Sequence, residues 1–168
     1  MNELRPLVPA DFAVPAMLEH PRFRLRMLTV HDLIKDFEAV MVSVTHLQET
    51  YSALWGSDWP AGLTLEEDLI DLGWHQREFT LRTSFAYTMM APDESRCLGC
   101  LYINPTRKAG HDASITMWVR ADELASGLDG VLEAEVRRWI AEVWPFTNPA
   151  FPGRSVSIEG WRAMPEVS

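Results

Sequence analysis

The feature that most constrains this chain is a run of three β-rich segments, residues 85–91, 97–104 and 113–120, joined only by turn and loop residues. Pro92-Asp93-Glu94-Ser95 has the composition of a hairpin turn between the first two. In the third, Ile115, Met117 and Val119 alternate with Ser114, Thr116, Trp118 and Arg120, the two-residue period of a strand. A loop over 121–129 leads to a segment in which Leu132, Val136, Trp139, Ile140 and Val143 recur at helical spacing, with Glu133, Glu135, Arg137 and Arg138 on the wet side. Trp144-Pro145 ends that helix, since proline has no N–H with which to continue it. A meander followed by an amphipathic helix calls for an antiparallel sheet with the helix lying on one face.

Upstream, residues 23–28 predict a strand, with Phe23, Leu25 and Met27 alternating against Arg24 and Arg26. Thr29-Val30-His31-Asp32 carries capping chemistry and opens a helix whose buried face is Leu33, Phe37, Val40, Met41 and Val44. A break is expected near Ser43, with the helix resuming through Leu47, Tyr51 and Leu54. Residues 56–62 read as a loop, and Thr64-Leu65-Glu66-Glu67 as a second capping box. It starts a helix to about Arg82 with Leu65, Leu69, Leu72 and Phe79 inward. A last strand is expected over 155–161. Pro6, Pro9, Pro15 and Pro21 punctuate an irregular arm over 1–22, with a short turn at 14–19. One domain over 23–168 follows it, without internal repeats.

The length of 168 residues suits one domain with a sizeable core. A net charge of -9 argues against nucleic acid and anionic membranes as partners, and would weakly attract cationic amines. The uncharged run 39–47 is too short to span a bilayer. The N-terminus lacks the order of a signal peptide, so a cytoplasmic protein is expected. Cys97-Leu98-Gly99-Cys100 is a lone CxxC in a strand, where an offset of three would place the thiols on opposite faces. No second Cys pair exists, and His20, His31, His46, His75 and His111 show no ligand spacing, so no metal is expected. A redox role for the pair is the third functional reading.

The order strand, helix pair, helix, three-stranded meander, helix, strand resembles the GNAT N-acetyltransferase fold. Leu25-Arg26-Met27-Leu28-Thr29-Val30-His31-Asp32 resembles that family's opening strand and first helix, and Leu98-Gly99-Cys100-Leu101-Tyr102-Ile103 its third strand. Trp118-Val119-Arg120 resembles the end of its fourth strand. The resemblance covers roughly residues 23–161. It implies an α/β (α+β) domain, a mixed and mainly antiparallel central sheet flanked by helices. The C-terminus would be shortened, because seven residues follow Trp161 and no Tyr follows Tyr102.

What the resemblance implies chemically is transfer of an acetyl or other acyl group from acetyl-CoA to the amine of a small molecule or peptide. The family places Arg or Gln, two residues, Gly, one residue, then Gly or Ala ahead of the helix that holds the cofactor pyrophosphate. Leu124-Ala125-Ser126-Gly127-Leu128-Asp129 stands there in this chain, with Gly130 one residue late. By resemblance, Met117, Trp118 and Val119 would meet the pantetheine arm, and Ser126, Gly127, Leu128, Asp129 and Gly130 the pyrophosphate. Asp129 departs from the pattern. At about 5 Å and an effective dielectric near 20, its charge against a phosphate costs on the order of 3 kcal/mol. Alternatively, Asp129 caps the helix and takes the same backbone donors.

Glu159 on the last strand would be the general base. His111, beside Gly110 and Asp112, is either a second base or a turn residue. Trp55, Trp59, Trp74, Tyr87 and Trp118 either line an acceptor groove or fill the core. Leu124, Asp129 and the missing fourth-strand acid also fit a non-catalytic module of the same shape that binds a small molecule or a protein. In either case the last strand would be an edge that a homodimer could cover.

Overall fold

The alternating segments assemble into one sheet. A computed structural model describes residues 5–167. Among them lie β1 (Met17–His20), β2 (Phe23–Met27), β3 (Phe85–Met90), β4 (Cys97–Asn104), β5 (Ala113–Val119) and β6 (Pro149–Ala150), hydrogen-bonded in that order. Every pairing is antiparallel except the last, in which Ala113 lies opposite Pro149 and Ser114 opposite Ala150 in parallel. The helices are α1 (Leu33–Met41), α2 (Val44–Trp55), α3 (Leu65–Leu81), α4 (Leu128–Val143) and α5 (Ile158–Ala163).

The strand period sorts the core onto two faces. Phe85, Tyr87 and Met89 pack with Leu132, Val136, Trp139 and Ile140 of α4. Ala86 and Met90 pack on the other side with Ala39 and Val40 of α1, Leu47 and Tyr51 of α2, and Leu72 of α3. The mixed sheet flanked by helices is therefore as the sequence pattern predicts.

Both capping boxes form. Thr64 and Glu67 exchange backbone and side-chain hydrogen bonds at 2.9 and 3.2 Å. Thr29 and Asp32 do the same but open a short 3-10 turn, Val30–Asp32, ahead of α1. The helix breaks at Ser43, as expected. That side chain donates to the Ala39 carbonyl at 2.7 Å and accepts from the Ala121 N–H at 2.9 Å, tying the break to the end of β5.

Several expectations are corrected. Residues 155–161 are not a strand: β6 lies earlier, at Pro149–Ala150, and Ser157 caps α5 by accepting from the Gly160 N–H at 3.0 Å. A helix does therefore follow the last strand. The turn expected at 14–19 gives way to β1, which pairs along β2. The arm before it is anchored, with the Leu7 N–H on the Arg82 carbonyl at 2.7 Å and the Tyr87 hydroxyl on the Pro15 carbonyl at 2.6 Å. On α3 the buried face is Asp68 and Leu72, while Leu65 and Leu69 are each 41% exposed. Of the four residues expected inward, Leu72 and Phe79 do pack on the core, while a buried carboxyl, Asp68, takes the place expected of Leu65 and Leu69. Met41 and Val143 are also exposed.

The CxxC reading is overturned by a bulge. Met89 lies opposite Gly99 but Met90 opposite Cys97, so Leu98 is the extra residue. Cys97 and Cys100 thereby share one face, in the core beneath α1 and α2. Burial pushes the Cys97 thiol up to about 12 and Cys100 well above its usual value, the reverse of an activated thiol. At Gly99, a Cβ would lie 2.0 Å from the Trp118 carbonyl oxygen of β5. Only glycine permits that approach.

Asp36 and Asp68 meet between α1 and α3, at 6% and 4% exposure, and their carboxyls hydrogen-bond each other. Burial, with Asp68 and Asp32 nearby, holds Asp36 well above the carboxylate range; burial, with Asp71 nearby, raises Asp68 to about 6.

Two predictions follow from this packing. Gly99→Ala should destabilise the fold by about 2–3 kcal/mol, since backbone rather than a side chain must move. Thermal melts would show a loss of roughly 4–10 °C. For the acid pair, a raised folded pKa means the native state holds its proton more tightly than the unfolded chain. Stability is then greatest below the unfolded value and falls as pH rises through about 6. Asp68→Asn should accordingly melt higher than wild type at about pH 8, by on the order of 1–3 kcal/mol, with the difference vanishing near pH 4. Parallel melts across pH check this, and a pH-independent difference would refute it.

Candidate active site

The parallel pairing of β5 with β6 stops at Ser114 and Ala150, where β6 itself ends, so the rest of β5 has no strand beside it on that edge. The gap is a cleft of about 470 Å³. Met117 and Trp118 of β5, His46, Glu49 and Tyr51 of α2, and Arg154 of the loop after β6 contribute to its walls. Asp129 and Glu133 of α4 close it from the helix side.

At one end of this cleft, α4 begins without a cap. Gly127 stands at the N-cap position with φ of 75°, and no side chain accepts from the first-turn N–H groups. Those donors and the positive end of the helix dipole suit an anion. Asp129 does not cap the helix. Its two oxygens accept from the Arg154 guanidinium at 2.9 and 3.0 Å, and Glu133 accepts from the same group at 2.7 Å. Burial disfavours the Arg154 charge, but these carboxylates outweigh it and hold its pKa above the usual value. The lone carboxylate charge expected at the phosphate position is thus paired.

Arg154 also donates to the Met117 carbonyl at 3.2 Å, and the Tyr51 hydroxyl donates to the same oxygen. Burial pushes the Tyr51 phenol well above its ordinary pKa, so it stays neutral. The cleft therefore combines an uncapped helix N-terminus, a strand carbonyl marked by two donors, and a neutral phenol at the point where the sheet opens.

The sequence-predicted residues divide. Met117, Trp118 and Asp129 line the cleft, with Leu124 beside them. Gly127 and Gly130 bracket the first turn of α4, which starts at Leu128 rather than after a capped loop. Val119 and Leu128 are buried in the core under α4. Ser126 bonds within its own turn to the Glu123 carbonyl at 2.7 Å and accepts from Arg22 at 3.0 Å. Glu159 falls on α5, not on a strand; it is exposed and lines neither the cleft nor its neighbours. His111 holds the Asn148 carbonyl at 3.1 Å, the turn role. Tyr87 is core and Trp74 is exposed.

Tyr51, Arg154, His46 and Glu49 also line the cleft, and the sequence pattern does not mark them. Tyr51 carries a helix-face pattern that looks like core, and Arg154 stands in a loop with no periodicity at all.

Trp55 and Trp59 line a second cavity, of about 360 Å³, with Asp36, Asp68, Asp71 and Tyr102. The Trp118 indole N–H donates to the Tyr102 hydroxyl at 3.3 Å, so one hydrogen bond joins the walls of the two cavities. Among the described residues, no group of three or more His, Cys, Asp or Glu is placed to hold a metal ion. No helix among them is long and apolar enough to cross a membrane.

No family model matches this sequence, and no curated protein does either. Solved structures do. A ribosomal-protein-S5-alanine acetyltransferase from Vibrio fischeri superposes with a TM-score of 0.58 at 13% identity, over 75% of this chain and 67% of that one. RimL, a ribosomal L7/L12 α-N-protein acetyltransferase in complex with coenzyme A, gives 0.56 at 17%, over 75% and 66%. The microcin C7 self-immunity acetyltransferase MccE, with acetyl-CoA and AMP, gives 0.59 at 10%, over 77% and 70%. At these identities the likeness is one of fold. The sheet order, the parting of β5 from β6 and these superpositions agree: the chain has the fold of the GNAT N-acetyltransferases.

Proposed function

We propose that this protein transfers an acetyl or related acyl group from acyl-CoA to an amine of a small molecule or peptide. The observation that carries the reading is the parted β5 edge lying next to the uncapped N-terminus of α4 in one cleft. Pyrophosphate would accept from the first-turn N–H groups of α4 around Gly127, Asp129 and Gly130, as anions do at helix N-termini. The pantetheine arm would run along Met117 to Val119. In the transfer the amine nitrogen attacks the thioester carbonyl, the carbon–sulfur bond breaks, and the sulfur leaves as thiolate. Tyr51, a neutral phenol lining the cleft, would give that sulfur its proton on releasing the Met117 carbonyl. Glu49 and His46, on the same helix wall, would take the proton the amine loses. The base role assigned by resemblance to Glu159 passes to these cleft residues. That two solved relatives of the fold hold coenzyme A or acetyl-CoA supports the cofactor.

One observation favours a second reading, a binding module without catalysis. The Met117 carbonyl is already engaged by Tyr51 and Arg154, so the chain's own side chains occupy part of the path of the arm.

The two readings separate by experiment. Acetyl-CoA and CoA at a hundredfold excess over the dissociation constant should stabilise the protein by about 2–3 kcal/mol, a rise of roughly 4–10 °C. No shift at millimolar cofactor would end the acyl-transfer reading. Arg154→Ala leaves Asp129 without its cation beside the phosphates, while Glu133 keeps Arg137 at 2.7 Å, and should weaken CoA binding about ten- to hundredfold. Tighter binding in that variant would instead mark Arg154 as a plug and favour the second reading.

A further inference from the structure

We infer that the cavity between α1, α3 and β4 is a binding site for an organic ammonium ion carried on an apolar body. Its acidic wall is made by Asp36, Asp68 and Asp71. Asp68 is 4% exposed, and among the described residues its Oδ2 finds no N–H or hydroxyl donor. No Lys or Arg among those residues lines the cavity. Arg26 is engaged by Asp32 at 2.8 Å and Glu94 at 2.8 Å. Of the remaining neighbours, Glu67 is held by the Thr64 N–H, and His75 stays neutral because burial lowers its pKa. A buried carboxyl pair with no cation of its own is an unbalanced arrangement, and an incoming cation would balance it.

The other walls are aromatic. Trp55 and Trp59 meet edge to face, with ring centroids 5.3 Å apart and planes at 68°, and Trp55 stands at 83° to Tyr102. His75 lies against Tyr102 at 5.3 Å. Rings at such angles around one space present π faces to it from more than one direction, the arrangement that holds an ammonium. The volume of about 360 Å³ admits a small organic molecule. A metal ion fits less well, since no three acidic or imidazole groups converge among the described residues.

The cavity opens toward the cleft. Trp55 and Asn104 belong both to it and to an adjoining groove, and Leu54 belongs both to that groove and to the cleft beside β5. That the ammonium is the acyl acceptor rests on the acyl-transfer reading; that it binds does not.

Tryptophan fluorescence and calorimetry on the full chain, without cofactor and near neutral pH, test the site. The probes are n-hexylammonium chloride, its neutral counterpart n-hexanol, and magnesium chloride. Hexylammonium should bind saturably, at least about tenfold tighter than hexanol. Asp68→Asn should cost about tenfold or more in hexylammonium affinity and nothing in hexanol affinity. Glu135→Gln, on the far side of α4, should change neither. Equal binding of hexanol, full hexylammonium binding by Asp68→Asn, or displacement of the amine by magnesium would each overturn the inference. If Asp68→Asn does not fold, Trp59→Leu decides: the site requires that it weaken hexylammonium more than hexanol. Amine binding with no response to acetyl-CoA would retain this site and remove the acyl-transfer reading, so the two can fail separately.

Discussion

The near-contact of two backbones at Gly99 and Trp118 fixes more of this structure than any other single interaction. With no Cβ in the way, β4 comes against the Trp118 carbonyl, and the bulge at Leu98 adjusts the register on the opposite side against β3. The bulge turns Cys97 inward beside Cys100, and both fill core under α1 and α2 instead of facing apart. Past the same point, Arg120 leaves β5 at 2% exposure and donates to Glu38 of α1 at 2.8 Å, to Asp122 at 2.6 Å and to the Cys97 carbonyl at 3.0 Å. One buried guanidinium thus joins the first helix, the bulge and the end of β5. Removing it would leave the Cys97 carbonyl without that donor and Glu38 without its partner, while Asp122 would keep Arg96 at 3.1 Å; such a buried charge is tolerable only when fully paired.

How much of this was legible follows from which forces write themselves into a sequence. The strand and helix order was readable because sheet and helix burial impose periods of two and about 3.6 on apolar residues. The capping boxes at Thr29 and Thr64 were readable because the same side chains must recur three residues apart. The failures come where periodicity does not decide. A single inserted residue, Leu98, reversed the facing of the two cysteines. On α3 the leucine pattern holds for Leu72 but not for Leu65 and Leu69, because Asp68 takes the buried place beside it. The last strand lies earlier than the pattern over 155–161 suggests, because two paired residues, Pro149 and Ala150, are too few to leave a pattern, and Ser157 caps α5 instead.

The cleft was legible only in part, for a related reason. Met117, Trp118, Gly127 and Asp129 sit on elements whose order the sequence shows, and the structure brings Met117, Trp118 and Asp129 into one wall. Arg154 changes the meaning of Asp129, yet lies 25 residues away in a loop, and nothing in local sequence connects the two. Read alone, Asp129 is a charge set against phosphate. Beside Arg154 it anchors a cation at the mouth of the helix, and the pair with Glu133 leaves a modest net charge where an isolated carboxylate would repel. Tyr51 is similar: a face residue of α2 by pattern, but by contact the donor at the parting of the strands.

The two cavities share a wall, and that wall has consequences for how they would work together. Trp118 is 1% exposed, bordered by the cleft on one side and bonded through its indole N–H to Tyr102 of the acidic aromatic cavity on the other. An occupant of the aromatic cavity would touch Tyr102, whose hydroxyl accepts from the Trp118 indole, and the Trp118 backbone carbonyl holds the Gly99 contact. Such a wall can couple the two sites only if it has more than one arrangement, because a ligand shifts an equilibrium by its differential affinity and no more. The close packing at Gly99 leaves the strand backbone little freedom. Adjustment therefore falls to the α2 side, where Trp55 is 39% exposed and stacks on Tyr51 with centroids 4.2 Å apart. Trp55 lines the acidic cavity and Tyr51 lines the cleft, so the stacked pair spans both. On packing grounds α2, not the sheet, is the element through which filling one cavity would be felt in the other.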